Sequence, residues 1–420
     1  MKRIVIVILL AHIPLVTANK VPSLTEQALY KVIEDANKKG INIATSTTFP
    51  FPKDTFAQLI LQSPRYWTLL FNAFPPIIIE HNEIVTSAQF SPDGSKVVSA
   101  SNDTTAKIVD ANTGHIIAII KHNDEVHSAQ FSSDGSKVVT ASWDGTAKIV
   151  DANNGHIIAS IPHYKTVVSA QFSPDGSKVV TASDDGTARI VDANNGHIIA
   201  TIRHNSCVFS AQFSPDGSKV VTASYDNTAK IVDVNTGHII ASIPHNGTVC
   251  SAQFSPDGSK VVSASNDTTA KIVDANTGDV LAIIRHGDWV RSAQFSPDGS
   301  KVVTASKDKT AKIVDANTCH LIATIPHGDW VNSAHFSPDG SKVVTASDDS
   351  TAKIVDANNG HIIATISHDR EVRSAQFSPD GSKVVTASWD NTAKISGFPL
   401  LPDNDLIELV QHLELSKEKK

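Results

Sequence analysis

The stretch FSPDGSKVV occupies residues 90–98 and recurs eight times along the chain at a fixed interval of 41 residues. The copies begin at Phe90, Phe131, Phe172, Phe213, Phe254, Phe295, Phe336 and Phe377. Only the second copy departs from the pattern, with Ser133 in place of proline. A fixed period of this length indicates a repeat protein, so the fold follows from what one repeat builds.

One repeat contains four short apolar runs separated by turn residues. In the unit at residues 122–162, the runs cover residues 126–131, 137–142, 146–151 and 156–161. They are rich in Val, Ile and Thr, which favours strands, and they are too short for ordinary helices. The intervening turns are Asp134-Gly135, Asp144-Gly145 and Asn153-Asn154-Gly155. Four antiparallel strands in each unit predict an all-β fold, in which every unit is one blade of a β-propeller.

The ends of the repeat array predict how the ring closes. The first three strands occur in eight copies, whereas only seven full copies of the fourth strand follow them. The segment Ile-Ile-Ile-Glu at residues 77–80 precedes the first unit at the spacing of a fourth strand. We therefore predict that it completes the last blade beside residues 392–396. The prediction is an eight-bladed propeller over residues 75–397 with no large open sheet edge.

Every unit carries a histidine before its first strand and a Ser-x-Asp after its second strand. In the second to fourth units these residues are His122, Ser142, Asp144, His163, Ser183, Asp185, His204, Ser224 and Asp226. With these residues the repeat resembles that of the WD-repeat propeller family, whose Trp-Asp pair ends the third strand. Here Val150 and its equivalents replace that Trp, and Ser396 does so in the last unit. The resemblance implies a structural hydrogen-bond network of His, Ser and Asp that lacks its Trp end.

A His, a Ser and an Asp in one unit could also indicate a hydrolase or a metal site. Eight identical catalytic triads in one ring make little chemical sense, and no second ligand stands at metal-binding spacing. The structural alternative gives each buried polar group a partner, and each such bond contributes about 0.5–1.5 kcal/mol net. We therefore predict no catalytic residue, no metal, no cofactor and no enzyme activity.

The repeats differ from one another in two places, namely the stretch after the histidine and the residues flanking the Asp of the second turn. Both connections are expected on the same face of a propeller. The candidate partner-binding residues in them are Trp143, Tyr164, Phe209, Tyr225, Trp289, Arg291, Lys307, Trp330, Arg373 and Trp389. Trp, Tyr and Arg dominate binding hot spots, so the pattern predicts a face that binds a protein or peptide partner.

These variable residues divide into two groups around the ring. Units three to five carry the more apolar group of Val168, Phe209, Cys250 and Tyr225. Units six to eight carry a basic and aromatic group of Arg291, Arg373, Lys307 and Trp289, with Asp184, Asp288, Asp329 and Asp348 nearby. The alternatives are drift of tolerant loops, with Trp filling the space of the missing family Trp, a carbohydrate-binding rim, and an enzyme site in the central channel. The constant repeat length leaves no room for the inserted loops that such an enzyme site would need.

The first residues of the chain have the pattern of a secretory signal. Lys2 and Arg3 are followed by an apolar run at residues 4–11, which is too short to span a bilayer. Val16-Thr17-Ala18 offers a cleavage site, so residues 1–18 are predicted to be removed and the protein exported to a periplasm or secreted. The alternative is a buried first strand or helix. No other segment is long enough to cross a membrane, so the mature chain should have no transmembrane segment.

The regions flanking the propeller are expected to be helical. In residues 19–74, Ser23 and Glu26 form a capping box, and the segment is weakly similar to a SOCS-box-like adaptor motif, with Ala28 where that motif has cysteine. That resemblance implies an adaptor that recruits a second protein, whereas the alternative is a helical pair packed beside the closing blade. Residues 398–420 read as an amphipathic helix with a charged tail.

The net charge bears on the class of partner, and the cysteine content bears on disulfide bonds. The net charge of −7 on 420 residues favours no nucleic acid partner. Three cysteines, Cys207, Cys250 and Cys319, imply no disulfide framework, although Cys207 and Cys250 lie in adjacent units where they could pair. We expect a monomeric propeller with an unidentified protein or peptide partner.

Overall fold

The computed structural model of this protein describes residues 75–397, and in them 32 strands form eight four-stranded antiparallel sheets. Each sheet is one blade, so the predicted all-β, eight-bladed propeller is confirmed. The predictions for residues 1–74 and 398–420, namely the signal, the helices and the adaptor-like segment, lie outside the described residues.

The strands of blades 1 to 4 follow one another along the chain. Blade 1 contains β2 (Val85–Phe90), β3 (Lys96–Ser101), β4 (Thr105–Asp110) and β5 (Ile116–Lys121). Blade 2 contains β6 (Val126–Phe131), β7 (Lys137–Ser142), β8 (Thr146–Asp151) and β9 (Ile157–Pro162). Blade 3 contains β10 (Val167–Phe172), β11 (Lys178–Ser183), β12 (Thr187–Asp192) and β13 (Ile198–Arg203). Blade 4 contains β14 (Val208–Phe213), β15 (Lys219–Ser224), β16 (Thr228–Asp233) and β17 (Ile239–Pro244).

Blades 5 to 8 repeat the arrangement, and the last one takes its fourth strand from the beginning of the propeller. Blade 5 contains β18 (Val249–Phe254), β19 (Lys260–Ser265), β20 (Thr269–Asp274) and β21 (Val280–Arg285). Blade 6 contains β22 (Val290–Phe295), β23 (Lys301–Ser306), β24 (Thr310–Asp315) and β25 (Leu321–Pro326). Blade 7 contains β26 (Val331–Phe336), β27 (Lys342–Ser347), β28 (Thr351–Asp356) and β29 (Ile362–Ser367). Blade 8 contains β30 (Val372–Phe377), β31 (Lys383–Ser388), β32 (Thr392–Gly397) and β1 (Ile77–Glu80).

The predicted strand bounds hold for the first three strands of the unit at residues 122–162. The fourth strand is shifted by one residue, because it covers Ile157–Pro162 instead of residues 156–161. Gly155 has a φ of +72°. The amide of Asp151 donates to the carbonyl of His156 at 2.9 Å. This bond makes His156 the closing residue of the turn instead of the first residue of the strand.

The hydrophobic core lies between neighbouring blades and repeats around the ring. Between blades 1 and 2, Val98, Ile108 and Ile120 of one sheet pack with Val126 and Phe131 of the next, and all are buried. The first strands of successive blades contact one another, and β30 contacts β2, so these strands surround the central channel. Burial of apolar surface at about 25 cal/mol per Å² therefore stabilises each blade through its two neighbours.

Every first strand carries a β-bulge immediately after its first residue. In blade 2 the pairing with β7 shifts register between Val126 and Ser128, so His127 lies within the bulge. The same shift occurs in the other seven first strands. Bulges change the direction in which a side chain projects. The bulge residue is the position that varies most among the repeats, namely Thr86, His127, Val168, Phe209, Cys250, Arg291, Asn332 and Arg373.

The ring closes as the sequence predicts. Strand β1 pairs antiparallel with β32, with Ile77 opposite Ile395 and Glu80 opposite Thr392. Ile79 is 4% exposed and packs in the core between the last and first blades. The Lys383 ammonium also donates to the Asn112 side chain at 2.6 Å across this closure. The equivalent bond between blades 1 and 2 joins Lys96 and Asn153 at 2.7 Å.

Candidate partner-binding face

A histidine, an aspartate and a hydroxyl tie the two variable connections of each blade together. In blade 2, His122 Nδ1 donates to Asp144 Oδ2 at 2.9 Å. Because a carboxylate only accepts, Nδ1 carries the proton, and Nε2 therefore accepts from the Thr140 hydroxyl at 2.8 Å. The His–Asp bond recurs in all eight blades at 2.7 to 2.9 Å.

The predicted serines belong to this network, but they do not contact the histidines. Ser142 Oγ donates to the Asp124 carbonyl at 3.1 Å and accepts from the Asp144 amide at 3.1 Å. Ser183 and Ser224 make the same bonds to the amides of Asp185 and Asp226. The hydroxyls that contact the histidines belong to residues two positions earlier, which were not predicted: Ser99, Thr140, Thr181, Thr222, Ser263, Thr304, Thr345 and Thr386.

The electrostatics of the network keep each imidazole neutral and each carboxylate charged. Burial lowers the pKa of His122, and the raising effect of Asp144 does not offset it. Burial opposes the ionisation of Asp144. Hydrogen bonds from the Thr146 side chain, the backbone N–H of Asn123 and the His122 ring outweigh this effect, and they lower the pKa of Asp144 to about 2. A charged Asp144 that accepts several hydrogen bonds thus holds the turn rigidly without any reactive proton.

Backbone hydrogen bonds place the two variable connections on one face. The amide of Trp143 donates to the Glu125 carbonyl, and that of Lys307 donates to the Trp289 carbonyl, both at 2.9 Å. The amide of Tyr225 donates to the Cys207 carbonyl in the same way. The two connections whose residues vary among the repeats therefore lie side by side in each blade. The rest of the scaffold is nearly the same in all eight blades.

The structure brings five of the predicted residues into two cation–π arrangements on blades 6 to 8, and the charge of Arg291 acts on the cations of both. We call Trp289, Arg291, Lys307, Trp330, Arg373 and Trp389 the basic–aromatic cluster. The Lys307 ammonium lies 3.9 Å from the ring centre of Trp289 and 3.8 Å from that of Trp330. The Arg373 guanidinium lies 5.0 Å from the ring centre of Trp389. Such cation–π contacts contribute about 0.5–1 kcal/mol each at exposed sites and fix the side chains before any ligand arrives.

Three cations of this cluster influence one another. Burial and then the charge of Arg291 lower the pKa of Arg373, and the same two causes in the same order lower that of Lys307. Arg373 forms an ion pair with Asp348 at 3.5 Å. The Asn332 amide group donates to the same carboxylate oxygen at 2.6 Å. The single carboxylate of Asp348 is therefore shared between an arginine and an asparagine.

The remaining predicted residues lie in separate places on the face. Phe209 and Tyr225 form a tilted ring pair with centroids 6.0 Å apart, within the apolar group. Tyr164 is 92% exposed, and the Arg189 guanidinium lies 5.9 Å from its ring centre. Among the described residues no ring contact joins Trp143 to the other predicted residues, and its side chain is 47% exposed.

The idea that Trp fills the space of the missing family Trp is wrong for three of these side chains. Trp143, Trp289 and Trp330 are 40% to 47% exposed. Val150, which stands at the family's Trp position, is fully buried between blades 1 and 2. The tryptophans therefore belong to the surface. Cys207 and Cys250, which could have paired, are both free thiols.

The opposite end of the channel is built from the constant residues. Two cavities of about 330 and 320 Å³ lie there, lined mainly by the Gln, Phe, Ser and Pro residues at the ends of the first strands. His335 stands in one first strand where the others have Gln, and burial lowers its pKa to about 4. Residues 75–397 contain no group of three His, Cys, Asp or Glu side chains that could hold a metal ion. No helix in this part of the chain is long and apolar enough to cross a membrane.

These features define a closed β-propeller whose connecting loops on one face carry the side chains that differ between blades. The family model for the IFT122 first beta-propeller matches residues 78–315, which is more than half of the chain. The model of the WD domain, G-beta repeat, matches residues 319–356 and 360–395. The chain therefore belongs to the WD-repeat β-propeller family. Propellers of this family generally serve as scaffolds that bind proteins and are typically not enzymes.

Solved structures agree with this assignment. The crystal structure of the computationally designed Ika8 protein is similar with a TM-score of 0.68 and 28% identity, covering 76% of this chain and 98% of that one. The C-terminal WD40 domain of Sif2 is similar with a TM-score of 0.68 at 18% identity, covering 78% of this chain and 99% of that one. The second likeness concerns the fold alone. No curated protein sequence in the comparison matches this chain significantly.

Proposed function

We propose that this chain is a non-catalytic scaffold that binds a protein or peptide partner through the variable face of its propeller. The observation that carries the proposal is the basic–aromatic cluster, in which Trp289 and Trp330 remain 41% and 40% exposed although Lys307 lies between them. Trp and Arg truncations at binding hot spots commonly cost about 2 kcal/mol or more. Preformed cation–π contacts also reduce the side-chain entropy that binding would cost.

The cluster favours a protein over a carbohydrate partner. Sugar rings bind by stacking on free aromatic faces, whereas the Lys307 ammonium occupies a face of both Trp289 and Trp330. An adaptor role would depend on residues 19–74, which lie outside the described residues. Partner binding by the propeller face requires no contribution from that segment.

The test is affinity capture with the full chain and a matched pair of variants. The first variant carries Trp289→Ala, Trp330→Ala and Arg291→Ala. The control carries Ile158→Ala, Leu321→Ala and Arg285→Ala, which are exposed residues on the outer strands of three blades. Circular dichroism and thermal unfolding establish that both variants are folded.

We expect proteins captured by the unaltered chain and by the control to be lost from the first variant, because the exposed indoles and the guanidinium are removed together. Equal capture by all three proteins would contradict the proposal. It would shift attention to the region at residues 19–74, whose adaptor role could then be tested with that segment fused to a carrier.

A further inference from the structure

Resting on the proposed function, we infer that the partner presents an oxyanion, the carboxylate or phosphate group of a peptide segment, to Arg291 and Arg373 at the mouth of the central channel. The inference goes beyond a general binding face, because it assigns the central contact and its chemical class. It depends on where these two guanidinium groups lie, on what already neutralises them and on what surrounds them.

The two arginines lie at the mouth of the channel. Arg291, Asn332 and Arg373 are the bulge residues of the first strands in blades 6, 7 and 8, and those strands surround the channel. The charge of Arg373 also reaches His127, the bulge residue of blade 2, whose pKa is lowered first by burial and then by Arg373. The positive charge of Arg373 therefore extends to the first strand of blade 2.

The positive charge at this place is only partly neutralised. Among the described residues, Arg291 has no carboxylate within 4.0 Å, whereas Arg373 has Asp348 at 3.5 Å. The Asp348 oxygen is held more closely by the Asn332 amide group, at 2.6 Å. Lys307 adds a third cation, held between two indoles. The charges of Asp288 and Glu371 also act on Lys307 and on Arg373, respectively. Arg291 is therefore the guanidinium group that is left without a close carboxylate and open to an incoming anion.

The surroundings strengthen the interaction with an oxyanion. The Arg373 side chain is 28% exposed, and charges in such partly buried places are screened less by water than charges on an open surface. A guanidinium group presents two parallel N–H donors that match a carboxylate or a phosphate. The rings of Trp289, Trp330 and Trp389 border the cations and exclude water once a partner covers them.

The other side of the same face argues against a polyanion such as nucleic acid. On blades 1 and 2, burial raises the pKa of Glu125, and the neighbouring charges of Asp124 and Glu83 raise it further. These three carboxyl groups would repel an extended phosphate backbone, as would the net charge of −7. A peptide that brings a single oxyanion to the channel mouth avoids this repulsion.

The experiment measures peptide binding to the full chain by fluorescence anisotropy at low salt. The probes are four labelled peptides of one aromatic-containing sequence that differ at a central position, which holds Glu, Gln, phosphoserine or Lys. The protein variants are Arg291→Ala and Arg373→Ala, together with Arg291→Lys, which keeps the charge but loses the paired donors. The control variants are Arg203→Ala and Arg285→Ala, which remove the same charge from exposed outer strands.

We expect the Glu or the phosphoserine peptide to bind more tightly than the Gln peptide, and the Lys peptide to bind most weakly. Hydrogen bonds to charged groups contribute about 1.5–3 kcal/mol, so each arginine-to-alanine change should weaken binding by about 10- to 100-fold. Arg291→Lys should fall in between, and the two controls should bind like the unaltered chain. Whichever acidic peptide binds more tightly identifies the source of the oxyanion.

The inference is overturned if the Gln peptide binds as tightly as the acidic ones, or if Arg291→Ala and Arg373→Ala leave acidic binding unchanged. If captured partners are lost with Trp289→Ala and Trp330→Ala but acidic peptides do not bind, the proposed function stands and the oxyanion inference fails. If acidic peptides bind through the two arginines while no captured protein depends on the face, the oxyanion site is supported and the proposed scaffold function fails.

Discussion

At the scale of single residues, the repeat is held together by a neutral imidazole between a carboxylate and a hydroxyl. Burial lowers the pKa of His122 and of its seven counterparts in the other blades. Each folded imidazole therefore binds a proton less readily than the same residue in the unfolded chain, whose pKa is about 6.5. Eight small effects of the same sign add up in one molecule.

We predict that acidification from pH 7 to pH 5 lowers the thermal unfolding midpoint. Below the unfolded pKa of about 6.5, the unfolded chain takes up protons at histidines that the folded chain keeps neutral, so stability falls as the pH falls. The aspartates add stability above their unfolded pKa, and this is lost only as the pH falls toward about 2, the folded pKa of Asp144. Calorimetry at pH 7, 6 and 5 measures the effect.

A matched variant separates the network from the exposed histidines. The variant that carries Gln in place of the exposed His156, which lies outside the network, serves as the control. Replacing the buried His122 with Gln should reduce the slope of the pH dependence. An unfolding midpoint that does not move between pH 7 and pH 5 would show that the buried imidazoles are not linked to folding.

The choice of the hydroxyl partner illustrates what the sequence does not determine. Thr140 and Ser142 both recur in every unit as a hydroxyl-bearing residue, and residues two positions apart on a strand project from the same face. Which of the two hydroxyls contacts His122 depends on where along β7 the loop places the imidazole ring, and the sequence does not give that position. The cation–π contacts of Lys307 could not be predicted either, because they depend on the curvature of the ring and on rotamers in two blades.

At the scale of strands, each element was predictable because its pattern repeats eight times. The strands β6, β7 and β8 have the bounds that the sequence predicts, whereas β9 is shifted by one residue and β32 ends one residue later than expected. The register of β1 against β32 also follows from the spacing of the repeat. The β-bulges were not predicted, although the variable residue in each first strand was noted. The sequence around them, such as Val-His-Ser-Ala in blade 2, contains no glycine or proline to mark a bulge.

We predict that Ile79→Ala destabilises the propeller far more than Ile78→Ala. Ile79 is 4% exposed in the core between the last and first blades, whereas Ile78 is 50% exposed. Truncating a buried isoleucine costs about 2–5 kcal/mol, because the cavity collapses only in part. Thermal unfolding of the two variants measures the difference. Similar midpoints would contradict the role of β1 as the closing strand of the ring.

At the scale of the whole molecule, eight blades with nearly the same strands and core form one face on which their residues differ. The interfaces between blades repeat the same buried residue types, so a change on the face leaves the core intact. The fold was predictable from the repeat alone. The apolar and basic–aromatic parts of the face were predicted from their residue types. The acidic part on blades 1 and 2 was not predicted, because the sequence gives residue types without their electrostatic environment.

Export remains our proposal for where this scaffold acts. The charged start and the short apolar run at residues 4–11 predict cleavage after Ala18, so the mature chain should begin at Asn19. Mass-spectrometric sequencing of the N-terminus of the protein purified from its native source measures this. An intact Met1 would refute cleavage.

The pairing of β1 with the last blade also sets the order of events while the protein is synthesised. Glu80 meets Thr392 in the last blade, so the early strand has no sheet partner until nearly the entire propeller has left the ribosome. The ring must stay open throughout synthesis, and it can close only when both ends have arrived on the same side of any membrane. If the chain is exported while it is being synthesised, the ring can close only after β32 has followed β1 through the translocation pore.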